Sequence, residues 1–166
     1  MKNQKPAFLN FAVDHMTLLL HPKLYTVAYA IFRIIFGVVP EDILYEKRRP
    51  KKGDSPETSM TFASRIGEWK SSEKDTLSTI IATVQPSEPL NEPSHVRDML
   101  DGHDNVAHWQ HIALRTPDLL AFHKHAVDHG VQFVTPILKD ENENLIQVFS
   151  GEWYFPGSKA SGMFFE

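Results

Sequence analysis

A chain of 166 residues with a formal net charge of −4, no cysteine and 42% apolar residues is ample for one compact core and short for two independent domains. The lack of cysteine excludes a disulfide framework, a thiolate nucleophile and a cysteine metal site. The acidic balance argues against a nucleic-acid partner, and eleven phenylalanines with three tryptophans supply large surfaces to bury rather than a disordered chain.

Met1 to Asn10 contains no apolar segment of signal-peptide type, so no secretory signal is expected. Val13 to Leu20 reads as a strand with Val13, His15, Thr17 and Leu19 on one face and Asp14 on the other. From Pro22, apolar residues at Leu24, Val27, Ile31, Ile34 and Ile35 predict an amphipathic helix ending at Gly37-Val38. The apolar run Leu24 to Val39 contains Arg33 and is too short to cross a bilayer. No membrane partner is therefore expected, and the chain reads as soluble and cytoplasmic. Pro40-Glu41-Asp42 should start a turn that carries Ile43-Leu44-Tyr45 into the core, and Lys47 to Pro56 is a basic, proline-broken, solvated loop.

Glu57 to Ile66 and Leu77 to Val84 have strand composition and should pair antiparallel. Pro86, Pro89 and Pro93 then break the chain around Leu90-Asn91-Glu92, before a short helix from Ser94 to Leu100. Val106 to Leu114 is the next strand, followed by a helix from Pro117 to His129 with Thr116 as its N-cap and Gly130-Val131 at its end. Strands at Gln132 to Val134, Leu145 to Ser150 and Gly162 to Glu166 complete the chain, with Asp140 to Asn144 as a hairpin turn.

Strand, early histidine, apolar continuation, proline, helix and Gly-Val thus occur twice, and His15 corresponds to His111. Two such copies suggest one domain, 1–166, built of two modules, about 11–93 and about 106–166. Two imidazoles need at least one further ligand to make a metal site. Glu166, ending the apolar strand Met163-Phe164-Phe165, offers one, although its position alone also suits a charged chain end.

These motifs resemble the vicinal oxygen chelate superfamily, and within it the catalytic C-terminal half of the 4-hydroxyphenylpyruvate dioxygenases. Val13-Asp14-His15, Gln110 to Thr116 and Met163 to Glu166 are similar to the three metal-binding strands of those enzymes. Leu145 to Phe149, Leu90 to Pro93 and Thr79 match more weakly, and the resemblance covers about Phe11 to the C-terminus. It implies an α+β fold of two βαβββ modules forming a half-open barrel, with His15, His111 and Glu166 on one metal. Fe(II) is the implied cofactor, with another divalent metal as the alternative. The implied substrates are O₂ and a 2-oxo acid or related aromatic small molecule, with Thr79, Asn91, Gln110 and Gln147 as neutral substrate-binding groups. An extradiol dioxygenase, a lyase or a non-catalytic binding module of the same fold are the competing readings. His95 stands where the resembled enzymes place a substrate-binding glutamine, which makes it a candidate catalytic acid or base. The sequence stops at Glu166, without the helix that follows the third ligand in those enzymes, so a more open pocket is expected. A homodimer through exposed sheet edges is expected as well. His125 and His129 read as a polar helix face.

Overall fold

The computed structural model describes residues 5–48, 60–70, 76–86, 91–103, 106–139 and 146–166. The elements follow the order β1 (Ala12–Leu20), α1 (Tyr25–Ala30), β2 (Ile43–Arg48), β3 (Met60–Lys70), β4 (Thr76–Val84), α2 (His95–Gly102), β5 (Ala107–Arg115), α3 (Leu119–Asp128), β6 (Leu138–Lys139), β7 (Ile146–Gln147) and β8 (Phe164–Phe165). A strand, a helix and three strands thus occur twice, on either side of α2. Six strands form one sheet in the order β2-β3-β4-β1-β5-β8, and β6-β7 is a separate ribbon. The expected α+β class is observed, and no closed barrel is present among the described residues. The expected loop at Lys47–Pro56 falls mostly, and the hairpin turn at Asp140–Asn144 entirely, outside those residues.

Two compact units are distinguishable. A central unit comprises His15–Gln110, and a terminal unit comprises Met1–Asp14 with His111–Glu166. Strands β1 and β5 contribute residues to both.

In the central unit β1 runs parallel to β4, with Met16 opposite Ile81 and Leu19 opposite Val84. β3 runs antiparallel to β4, as its composition predicts, and to β2. Pro40–Asp42 forms the expected turn as one 3-10 helical segment, and the residues it leads into, Ile43 to Tyr45, begin β2. Ile43 packs on the core, while Leu44 and Tyr45 are exposed. Phe32, Val38, Phe62 and Ile81 form the buried cluster. The rings of Phe32 and Phe62 meet edge to face, 5.3 Å apart at 80°.

The first helix corrects the sequence reading. Its buried stripe is Ala28 and Phe32, with Tyr25 partly buried, whereas Ile34 and Ile35 are 76% and 71% exposed. Between Ile31 and Ile35 it is π-helical, and the N–H of Phe36 donates to the carbonyl of Ile31. β-branched Ile31, Ile34 and Ile35 crowd an ordinary α turn, and the extra residue keeps Phe32 directed at the core. The N–H of Val38 then closes on the Phe32 carbonyl at 3.0 Å, and Arg33 Nη1 donates to the Val38 carbonyl at 2.6 Å.

The terminal unit ends its helix in a related way. The N–H of Val131 donates to Ala126 and that of Gly130 to Val127, at 3.0 and 2.9 Å, a Schellman closure. Gly37 and Gly130 both have positive φ, 66° and 86°, where a side chain is disfavoured. By the closing hydrogen bond, Ala126 of α3 occupies the place that Phe32 holds in the central unit. The N-cap of α3 is Asp118, which accepts from the Ala121 N–H at 2.9 Å, and not Thr116. The Thr116 hydroxyl instead donates to the Phe8 carbonyl at 2.8 Å. The strand expected at Gln132–Val134 is reduced to one bridge between Phe133 and Ser150.

Candidate metal centre

β8 runs parallel to β5, with Phe164 opposite His111 and Phe165 opposite Ile112. Glu166 is fastened by both of its backbone groups: its N–H donates to the Ile112 carbonyl at 3.1 Å, and its carbonyl accepts from the Leu114 N–H at 2.9 Å. The last residue is thus held by the β5–β8 ladder and is not a loose end.

Strand alternation puts Phe164 and Glu166 on one face of β8, and His111 meets both. The His111 ring lies 5.0 Å from the Phe164 ring at 27° and 6.0 Å from the Phe149 ring at 74°. Its Nε2 is 3.0 Å from Glu166 Oε2, and the two side chains are only 9% and 14% exposed. A carboxylate so far removed from water requires a hydrogen-bond donor or a cation.

Among the described residues, one group of three histidine or acidic side chains has donor atoms close enough to share an ion. The ligating atoms of His15, His111 and Glu166 all lie within 4.8 Å of one another. His15 directly follows Asp14, whose carboxylate accepts from Arg115 at the end of β5. Two imidazole nitrogens and one carboxylate oxygen suit a borderline divalent cation such as iron, manganese or zinc.

The other residues singled out from the sequence are placed differently. Gln147 is half-buried on β7 and lines a cleft of about 350 Å³ together with Asp14, Arg115 and Glu166. Gln110 is 7% exposed and its amide donates to Met99 Sδ at 3.1 Å. As the neighbour of His111 in a regular strand, it points to the other face of β5. Thr79 is exposed, and it shares a face of β4 with Ile81 and Thr83 rather than with Ala82, which pairs with Thr17 of β1. Asn91 is exposed in a turn, and His95 is exposed at the first position of α2, which Ser94 caps. Thr79, Asn91 and His95 are thus solvent-facing, and Gln147 lies in a cleft that a candidate ligand also lines.

Three features of the terminal unit went unassigned in the sequence: the Asp14–Arg115 ion pair and the two rings against His111. Alternation along Phe164-Phe165-Glu166 already places the first ring beside the acid. Phe149, 6.0 Å from Phe164, carries no comparable signal, because β7 and the segment after it are too short to show a period.

No protein-family model and no curated protein sequence matches the chain. Solved structures do. A methylmalonyl-CoA epimerase aligns with a TM-score of 0.56 at 18% identity, over 89% of this chain and 88% of that one. A variant of the Streptomyces coelicolor methylmalonyl-CoA epimerase in complex with 2-nitronate-propionyl-CoA aligns with a TM-score of 0.57 at 17% identity, over 84% of this chain and 86% of that one. A variant of 4-hydroxymandelate synthase from Streptomyces coelicolor gives a TM-score of 0.61 at 15% identity, over 93% of this chain but only 47% of that one. The repeated βαβββ order and these likenesses define a protein of the vicinal oxygen chelate fold. Among the described residues, no helix is long and apolar enough to cross a membrane.

Proposed function

We propose that the protein is a metal-dependent enzyme in which His15, His111 and Glu166 hold one divalent cation, Fe(II) in the reading we favour. In that reading it oxidises a 2-oxo acid or a related aromatic small molecule with O₂. The observation that carries the proposal is the nearly dry His111–Glu166 contact of 3.0 Å inside a donor group spanning 4.8 Å. Two histidines and one carboxylate are the ligand set that leaves coordination positions open for substrate and O₂ on non-haem Fe(II). A cation bound there supplies a Lewis acid for the keto and carboxylate oxygens of such a substrate. The chain supplies the rest. Phe149 and Phe164 keep water from the imidazole of His111, and the β5–β8 hydrogen bonds fix the carboxylate before any ligand arrives. Gln147 orients the substrate through an amide that neither gains nor loses a proton near neutrality.

A second reading is supported by the likeness to methylmalonyl-CoA epimerase, which aligns over 89% of this chain with a TM-score of 0.56. In it, the same three ligands serve proton transfer next to a carbonyl, without O₂. The homodimer expected from exposed sheet edges belongs with either reading, and sedimentation tests it.

Anaerobic loading with Fe(II) followed by metal analysis should give one iron per chain. His111→Ala and Glu166→Ala should each weaken binding by about 100-fold or more, beyond what loss of an outer-shell partner usually costs. Oxygen uptake with arylpyruvates supports the first reading. Bound metal with solvent deuterium entering the substrate and no oxygen uptake supports the second. Unchanged metal binding in both variants would refute the site.

A further inference from the structure

The terminal unit contains an apolar cavity of about 490 Å³. Leu114 and Phe165 line it, directed by strand alternation away from His111 and Glu166 respectively, and Glu166 borders it as well. Its remaining aromatic walls are Phe11, Phe122 and Phe133. Such a space destabilises the fold when nothing fills it, and its walls offer ordered water few partners. The volume falls within the range of about 300–1,000 Å³ typical of small-molecule sites.

Thr116, Ser150 and Glu166 bring polar groups to its border, and at the end of α3 His125 and His129 also line the cavity. His129 Nδ1 lies 2.7 Å from the His125 carbonyl oxygen. A carbonyl can only accept, so Nδ1 carries the hydrogen and Nε2 of the neutral ring is an acceptor. The last carbonyls of the helix add partial negative charge there. Both features select a hydroxyl that donates and disfavour an anionic head group.

We propose that this cavity is a second ligand site, beside the candidate metal centre and bordered like it by Glu166, for a neutral aromatic alcohol. Its rings lie among the phenylalanines and its hydroxyl donates to His129. The alcohol is recognised without the metal, so the site stands whichever reaction the metal centre performs.

Calorimetric titration of the intact protein with naphthol, its isostere methylnaphthalene and naphthoate tests this. Naphthol should bind once per chain, about fivefold tighter than methylnaphthalene, the effect of one hydrogen bond, and naphthoate should bind more weakly than either. His129→Ala should erase the preference for naphthol while leaving methylnaphthalene binding intact. Ala126→Phe should abolish binding of both, with the fold checked by circular dichroism. Where that variant does not fold, Ala126→Leu carries the same expectation. Adding Fe(II) or a chelator should change nothing. Absence of saturable binding, full binding in the folded filled variant, preference for naphthoate, or dependence on metal each overturns the proposal.

Discussion

The central and terminal units place a helix over a sheet in the same order of elements, yet one interface is the better filled and the other hollow. In the central unit Phe32 and Phe62 are 6% and 5% exposed, and the cleft left beside them is about 150 Å³, against about 490 Å³ in the terminal unit. In the terminal unit the residue at the matching place is Ala126, 5% exposed, and the phenylalanines, of which Phe11 and Phe122 meet edge to face at 5.0 Å, stand around a cavity instead of filling it. The strands differ in the same sense: β3 and β4 run for 11 and 9 residues, whereas β6, β7 and β8 have two each. Topology therefore does not decide where a core is dense. The residue that the helix presents at one turn does. The candidate ligands His111 and Glu166 belong to the looser unit, held by a strand ladder and two rings rather than by a deep core. Regions with few buried apolar contacts open most readily, and a site that must admit a substrate benefits from that.

The strongest way to break this contrast is to empty the better-filled interface. Phe32→Ala should cost about 3–5 kcal/mol in denaturant unfolding, the usual range for deleting a packed aromatic side chain. Phe133→Ala, at the edge of a cavity that already exists, should cost about 1–2 kcal/mol, because less surface returns to water. Equal losses would mean that the cavity closes in solution.

The two helix ends sharpen the contrast from the other direction, since here the units should behave alike. An added Cβ at Gly37 or Gly130 meets nothing within 4 Å. Any cost of Gly37→Ala and Gly130→Ala is then the backbone's own, about 1–2 kcal/mol for a left-handed residue. A much larger loss at one of them would point to a tertiary role for that turn. At the other end of α3, Asp118→Ala should cost about 1 kcal/mol by removing the cap. Thr116→Val should act through the lost bond to Phe8 instead, leaving the helicity of α3 unchanged by circular dichroism.

That pair also marks what sequence could and could not reveal. The duplicated pattern of strand, histidine, helix and Gly-Val is local, and both glycines do sit in the left-handed region because a helix end demands it. Antiparallel β3 and β4 were likewise legible from alternation and β-branched residues. Thr116 was misread because Thr-Pro-Asp offers two caps, and the choice turned on a contact with Phe8, 108 positions earlier in the chain. The buried stripe of the first helix was misread because counting apolar residues weighted Ile34 and Ile35 above Ala28. A one-residue π insertion then changed which of them face the sheet. For the candidate centre, the sequence supplied the three ligand types on strands. It could not supply the orientation of Thr79, since a single-residue phase difference along a strand reverses the face, whereas the alternation that turns Gln110 away from His111 was already legible in it.

The smallest expected effect concerns the same helix. Lys124 Nζ lies 2.6 Å from Asp128 Oδ2, and its hydrogen bond and charge hold the Asp128 carboxyl below its ordinary range, with His129 and His125 acting in the same sense. A carboxyl whose folded pKa is depressed stabilises the fold above its unfolded pKa, and this contribution disappears as the pH falls through the folded value. The pair is exposed, places the lysine before the acid and sets a negative charge near the helix C-terminus, which are the weak arrangements. Asp128→Asn should therefore flatten stability slightly between neutral pH and the acid side of the carboxylate range, while leaving metal binding unchanged. A large loss of stability at neutral pH, in urea titrations compared across pH, would mean that this exposed pair anchors α3 more firmly than its geometry provides for.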